Sequence, residues 1–328
     1  MKALVTGGAG YIGSHVARLL SESGWEVTVL DSFEKGHRQA IKGFDVAEGD
    51  IRDPDFLERV FACCPYDAVL HFAAFIEVGE SVEKPLLYYG NNLGGGLNVL
   101  EAAVRAGVKR FIFSSTAAVY GMVGPDPITE DVPTAPINPY GQSKLYMEAA
   151  LESSRKAYGL SYASLRYFNA AGAHPDGTMG EDHRPESHLI PRILKAALEK
   201  REVSIYGTDY PTPDGTCVRD YIHIMDLARA HVLALEAMKG TKATGEVFNL
   251  GNGAGFSVRQ VIDRASAVSG LPVTVREGPR RPGDSAILVA SSAKAQRVLG
   301  WKRKRADIGV IIADAWRWHN SHRQGYQA

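Results

Sequence analysis

At 328 residues the chain exceeds what one compact core usually holds, so two domains, or one large domain with a lobe after it, are expected. An apolar share of 45% supplies a full core, and 37 Lys and Arg are matched by 37 Asp and Glu, which gives no electrostatic case for nucleic acid or an anionic membrane as the main partner. The first strand is expected from residue 2, leaving no room for a cleavable leader, and no apolar run reaches membrane-spanning length, so the chain is expected to be cytoplasmic and not membrane-bound.

Short apolar, β-branched runs recur along the first half as "KALVT", "WEVTVLD", "DVAEGD", "DAVLHFA", "KRFIFSS" and "YASLRYFN". Between them lie stretches of helical period; in "YIGSHVARLLSESG" Ile12, Val16, Leu19 and Leu20 share a face before Gly24 ends the turn. Strands alternating with helices predict an α/β fold with a Rossmann-like, doubly wound parallel sheet. After about residue 170 glycine- and proline-rich connectors separate shorter elements. We therefore expect residues 1–170 to form a dinucleotide-binding domain and residues 171–328 a smaller C-terminal α/β lobe for substrate, with some of its elements returning to the first domain.

The first strand runs into "TGGAGYIG", where Gly7, Gly10 and Gly13 are spaced three apart and Gly8, Gly10 and Gly13 satisfy GxGxxG. Glycines between a strand and a helix let the backbone approach a pyrophosphate, whose charge faces the helix N-terminus. The next strand ends in Asp31, 18 residues after Gly13, where a carboxylate would bind an adenosine ribose and repel a 2′-phosphate, favouring NAD over NADP. "FIFSSTAAVYG" ends a strand with Ser114, Ser115 and Thr116, placing hydroxyls at the carboxyl edge of the sheet. A helix expected after Pro139 carries Tyr140 and Lys144, four apart and about 6 Å along the axis. A free tyrosine is a poor base at neutral pH, and a nearby ammonium and a positive nicotinamide both favour the phenolate and should lower its pKa. Dinucleotide site, hydroxyl and Tyr/Lys pair together describe hydride transfer at a carbinol. The three cysteines, with Cys63 and Cys64 adjacent, read as reduced thiols. His71 and His223 lack a second ligand at metal spacing, so no metal is expected.

In this order "TGGAGYIG", "HFAA", "VGESVEKPLLYYGNN", "FIFSSTAAVYG", "PYGQSK", "LRYFNAAGAHP", "GTDYPTPDGTCVRDYIHIMDLA" and "FNLGNG" resemble the extended short-chain dehydrogenase/reductase superfamily and, within it, the UDP-glucose 4-epimerase family over essentially the whole chain. The glycine motif and YxxxK are shared by many relatives, whereas "DYPTPDGTCVRDYIHIMDLA" is far more specific. The resemblance implies that Tyr140 takes the proton from O4 of a UDP-sugar while C4 yields hydride to tightly bound NAD. The resulting 4-keto sugar turns over in the site and takes the hydride back on its other face.

Lys144 and Thr116 would complete the catalytic set. Cofactor contacts would fall on Gly7, Gly10, Tyr11, Ile12, Gly13, Asp31, Asp50, Ile51, Phe72, Ala73, Ala74, Asn91, Ser114, Tyr140, Lys144 and Phe168. Arg219 and Arg281 would bind the diphosphate, with Asn169, Leu189, Tyr206 and Asp284 lining the rest of the substrate site.

Four positions depart from the family pattern. Thr116 stands at the usual serine position, Ile76 where several relatives have lysine, and His188 where an asparagine is common in the sugar site. Leu288 falls where relatives restricted to non-acetylated sugars carry a bulky tyrosine, so UDP-N-acetylglucosamine and UDP-N-acetylgalactosamine are expected as further substrates. A sugar-nucleotide dehydratase would need acids after Thr116, where Ala117 and Ala118 stand. A UDP-uronate 4-epimerase or decarboxylase and a non-catalytic nucleotide sensor remain open on the same fold. The family also implies a homodimer, joined through helices near 91–106 and 140–158.

Overall fold

The computed structural model describes residues 1–124, 126–239, 242–281 and 284–327. Its first half builds β1 (Lys2–Thr6), α1 (Tyr11–Glu22), β2 (Glu26–Asp31), β3 (Asp45–Glu48), α2 (Pro54–Cys63), β4 (Ala68–His71), α3 (Val78–Glu83) and α4 (Pro85–Tyr88). A π-helical stretch, Tyr89–Gly95, leads into α5 (Gly96–Arg105), followed by β5 (Arg110–Thr116), α6 (Pro139–Tyr158) and β6 (Ser161–Tyr167). The remainder forms β7 (Asn169–Ala171), α7 (Leu189–Glu199), β8 (Glu202–Tyr206), β9 (Val218–His223), α8 (Ile224–Ala237), β10 (Gly245–Leu250) and β11 (Gly255–Ser257). It ends with α9 (Val258–Ser269), β12 (Thr274–Gly278), β13 (Ile287–Leu288), α10 (Ala293–Leu299) and α11 (Ile308–Ser321).

Seven strands pair in the order β10-β6-β5-β4-β1-β2-β3, all parallel. Central strands such as β1 are buried on both faces, which is why "ALV" carries no polar alternation. One face is covered by α1 and α8, through Val16, Leu20, Leu227 and Leu235, and the other by α2, α5 and α6, through Leu57, Val99 and Leu151. This is the doubly wound Rossmann-like sheet that the alternation predicts. Its seventh strand comes from well past residue 170, and α8 also belongs to the first layer.

The second lobe has a small sheet, β11-β9-β13 with β7 on β9, and a two-stranded pair, β8 with β12. Helices α7, α9 and α11 enclose its own core around Ile193, Leu194, Ile205, Val261 and Ile311. The chain leaves the large sheet at Tyr167 and enters the small one at Asn169, so a single residue, Phe168, links the two. Among the described residues no helix is long and apolar enough to cross a membrane.

Candidate active site

The carboxyl ends of β1, β2, β4, β5 and β6 converge, as ligand sites do in open parallel sheets. At the end of β1 the backbone turns at Gly7 with φ +68°, and a Cβ there would sit 2.4 Å from the Ala73 nitrogen. Gly13 lies so close to the turn that its Cβ would meet Gly7 O at 2.3 Å. Only hydrogen atoms fit at both positions, which seats the start of α1 directly on the strand end. Gly10 caps that helix with no side-chain acceptor, leaving the first amides of Tyr11 and Ile12 without a protein cap. A pyrophosphate suits such a cradle in size and charge.

Around the cradle, Asp31 is buried and accepts from Ala9 N and Phe33 N, both at 2.9 Å. Burial raises its carboxyl above the ordinary value, and the two amides pull it back. Asp50 is held by Arg52 Nε at 2.9 and 3.0 Å, which lowers its pKa, and Ile51 is buried beside it with its carbonyl accepting from Asn98. Ala73 backs onto Gly7, Phe72 N donates to Thr6 O at 2.8 Å, and Ala74 follows in the same stretch. Asn91 lies in the π-helical turn and donates to Asn92, which in turn clamps both backbone groups of Phe75. Phe168 is buried, its amide donating to Leu250 O.

Helix α6 lies where it is expected, with Pro139 in its first turn and Gly159 closing it in the left-handed region; Asn138 caps it by accepting from Gly141 N at 2.9 Å. Tyr140 and Lys144 both point inward and are buried, alongside Thr116 and Ser114 at the end of β5. Lys144 Nζ donates to Ser114 O at 2.8 Å. Thr116 Oγ1 accepts from Ala118 N at 3.1 Å.

The expected lowering of the Tyr140 pKa does not hold for the protein chain by itself. Burial raises the phenol, with the Thr116 hydroxyl drawing it partly back, and burial lowers the Lys144 amine to about 7. The physical reason is desolvation: each group separately loses water on charging, so neither gains until its counter-charge forms beside it.

Beneath this cluster lies a network that the sequence reading missed. Ser115 Oγ donates to Glu148 Oε1 at 2.6 Å, Arg166 Nε donates to the same oxygen at 2.9 Å, and Arg166 Nη1 donates to the Tyr120 hydroxyl at 2.9 Å. The Tyr120 hydroxyl in turn donates to Asn249 Oδ1 at 2.7 Å. Tyr167, also unforeseen, shares a hydrogen bond with Ser114 Oγ. An arginine inside the apolar strand "YASLRYFN" was the available signal, since such a charge is kept only when paired. His71 is an internal group, with Nδ1 on Thr6 Oγ1 at 2.6 Å and a pKa lowered to about 3 by burial and then by Lys144. His223 is likewise engaged, by Met225 N and Asp314.

The second lobe brings together the other candidates. Arg219 is anchored through Nη1 to Ser285 O at 2.8 Å and pairs with Asp284 at 3.2 Å, so these two act as one unit. The exposed Arg281 guanidinium stacks over the Tyr206 ring at 4.1 Å. Leu288 is opposite Arg219 in the small sheet and joins an apolar cluster with Ala117, Tyr120 and Phe168. Asn169 donates to Asp220 O at 2.7 Å and, with His188, Leu189 and Tyr221, lines a cavity of about 30 Å³. His188 also contacts Glu181 at 2.6 Å, an arrangement the sequence reading did not anticipate.

The fold defines a Rossmann-type enzyme, with a buried hydroxyl-and-amine centre at the carboxyl end of β5. The model of the NAD dependent epimerase/dehydratase family matches residues 3–251, and the chain belongs to that family. It is 51% identical over 327 residues to the UDP-glucose 4-epimerase of Halalkalibacterium halodurans, covering 99% of this chain and 98% of that one. The structure of UDP-glucose 4-epimerase from Brucella ovis in complex with NAD superposes with a TM-score of 0.93 at 46% identity, over 96% of this chain and 97% of the other. That from Bifidobacterium longum in complex with NAD+ and UDP gives a TM-score of 0.94 at 40% identity, over 99% and 100%.

Proposed function

We propose that the chain interconverts UDP-glucose and UDP-galactose at C4 through a 4-keto intermediate, with NAD held in the cradle of Gly7, Gly10 and Gly13 and by Asp31. One observation supports this reading: Tyr140, Thr116 and Lys144 are buried together at the carboxyl end of β5, where Lys144 Nζ donates to Ser114 O and the Thr116 hydroxyl acts on the Tyr140 phenol. Bound NAD supplies a reversible two-electron acceptor beside the sugar carbon.

The chain's own residues supply the rest. Arg281, preorganised on Tyr206, and the Arg219–Asp284 unit bind the diphosphate and the nucleotide ribose. Thr116 hydrogen-bonds the 4-hydroxyl and orients its proton toward Tyr140. Tyr140 accepts that proton as phenolate and returns it after the ketone has turned. A buried phenolate is costly alone and a buried ammonium is costly alone, so each charge offsets the other's desolvation when both are present. Lys144 is held for this purpose by Ser114 O. Ala117 and Ala118 after Thr116 carry no acid for removal of water, which separates the reading from a dehydratase.

The test is to follow sugar anomeric protons by NMR after adding UDP-galactose to purified protein without added cofactor. Conversion is expected, falling by about 10²- to 10⁴-fold in Tyr140→Phe, the usual worth of a positioned acid/base. No conversion even with NAD supplied would sink the reading.

We further read the protein as a cytoplasmic homodimer. Leu97 and Tyr146, 40% and 49% exposed, lie on the two expected helices, α5 and α6, and Val82 and Leu86, 62% and 83% exposed, lie on α3 and α4, which pack on α6. A second copy would cover this apolar face in a helical bundle. Light scattering at micromolar concentration should give twice the chain mass, and a monomer mass would remove the claim.

A further inference from the structure

The segment from residue 181 to 188, "EDHRPESH", lies outside regular structure and runs into the N-terminus of α7. Glu181, His183, Glu186 and His188 turn their side chains to one point, each with a ligand atom within 4.8 Å of the others. Glu181 Oε1 is 2.6 Å from His188 Nδ1 and 3.1 Å from His183 Nδ1. Glu186 Oε1 is 3.6 Å from His188 Nδ1 and 3.9 Å from His183 Nδ1. Ligands bonded at roughly 2.0–2.1 Å to a tetrahedral ion stand about 3.3 Å apart, and these separations bracket that value.

Direction adds a second, independent observation. Glu181 Oε1, His183 Nδ1 and His188 Nδ1 are buried atoms with no aligned hydrogen bond although the imidazoles stand within contact of carboxylates, and Glu186 Oε2 is likewise unaligned while its Oε1, the oxygen measured to the imidazoles, accepts from His188 N at 3.0 Å. Groups that meet without aligning on one another are arranged like donors sharing a centre, and the Glu181 side chain, 2% exposed, cannot satisfy itself with water. The surroundings hold the arrangement still: Trp318 Nε1 donates to Glu181 O at 3.2 Å, and the Tyr11 ring stands edge-on to His183. Lys195 Nζ, 3.6 Å from Glu186 Oε2, is a neighbouring cation that two carboxylates together can outweigh.

We propose that Glu181, His183, Glu186 and His188 bind one zinc ion in a closed tetrahedral site. Two imidazole nitrogens and two carboxylate oxygens suit Zn²⁺, whereas an all-oxygen set would suit Mg²⁺ or Ca²⁺. Four protein ligands leave no open position, so the ion is structural. Its effect falls on the wall of the substrate cleft, because His188 and Leu189 line the small cavity beside Asn169 and Tyr221. The zinc would thus fix His188 as a ligand and remove it from direct sugar recognition.

The test uses untagged, full-length protein. After incubation with zinc and desalting, elemental analysis should find about one zinc per chain, and cobalt(II) in its place should give the intense visible absorption of a tetrahedral site. Stripping with a chelator should lower Tm, and zinc but not magnesium should restore it. His183→Ala should weaken zinc binding by at least about 100-fold. Because that variant could misfold, the measurements on the wild type stand independently. Less than about a tenth of an equivalent of zinc on the wild type, cobalt spectra of octahedral type, or equal retention by folded His183→Ala would each overturn the proposal.

Discussion

Replacing Gly13 by alanine would put a Cβ 2.3 Å from Gly7 O, 2.8 Å from Gly8 Cα and 3.0 Å from Gly7 C. Unstrained contact to carbon needs roughly 3.5 Å, so the strand-to-helix turn and the start of α1 must separate by about 1 Å. All three atoms are backbone, and none can rotate away as a side-chain tip could. The amides of Tyr11 and Ile12 move with the helix, and a 1 Å misplacement of binding groups costs on the order of 100-fold. We therefore expect the dissociation constant of NAD to rise about 100-fold in Gly13→Ala, which corresponds to about 2.7 kcal/mol. Calorimetric titration of NAD into protein stripped of cofactor measures this, with a thermal melt as the control for folding. A dissociation constant within about threefold of wild type, in a variant that melts normally, would refute the assignment of this turn as the pyrophosphate cradle.

Leu288→Tyr enlarges a side chain between Arg219 and the Ala117–Tyr120 cluster, and should abolish turnover of the acetylated UDP-sugars while sparing UDP-galactose; unchanged turnover of both would reject the gate. Lys144 tests the electrostatics through stability. Its folded pKa is lowered to about 7, below its unfolded value, so the penalty for a buried ammonium is full below about pH 7 and fades as pH rises toward the ordinary lysine range. Denaturant unfolding of cofactor-free protein should thus show wild type gaining on Lys144→Met between pH 7 and 10, and a constant difference would mean the amine is not desolvated.

Much of this architecture could be read from residues alone. The glycine turn, Asp31 and the extent of α6 from Pro139 to Gly159 are local features, set by backbone conformation and by neighbours a few residues away. Their sequence spacing therefore carries the geometry. The electrostatic sign at Tyr140 could not be read in the same way, because spacing reports proximity to Lys144 but not the burial of both groups. The Glu148–Arg166–Tyr120–Asn249 network was equally hidden, since its members come from α6, β6, the turn after β5 and β10. Only tertiary structure joins them. The 181–188 cluster is the intermediate case: its E-x-H-x-x-E-x-H spacing is local, yet it matches no common helix or hairpin metal pattern.

The late arrival of β10 at the edge of the large sheet has a consequence for the chain as an engineered object. A fragment ended at residue 170 would keep every glycine and hydroxyl of the first half, but β6 would lose its neighbour along Tyr162–Tyr167. It would also lose α8, which covers α1. Such a piece would offer a naked strand edge and a bare apolar flank to other molecules of itself, conditions that favour aggregation over folding. The two lobes are thus knitted by a chain that crosses between them repeatedly, and transplanting the second one as a cassette would unravel the first.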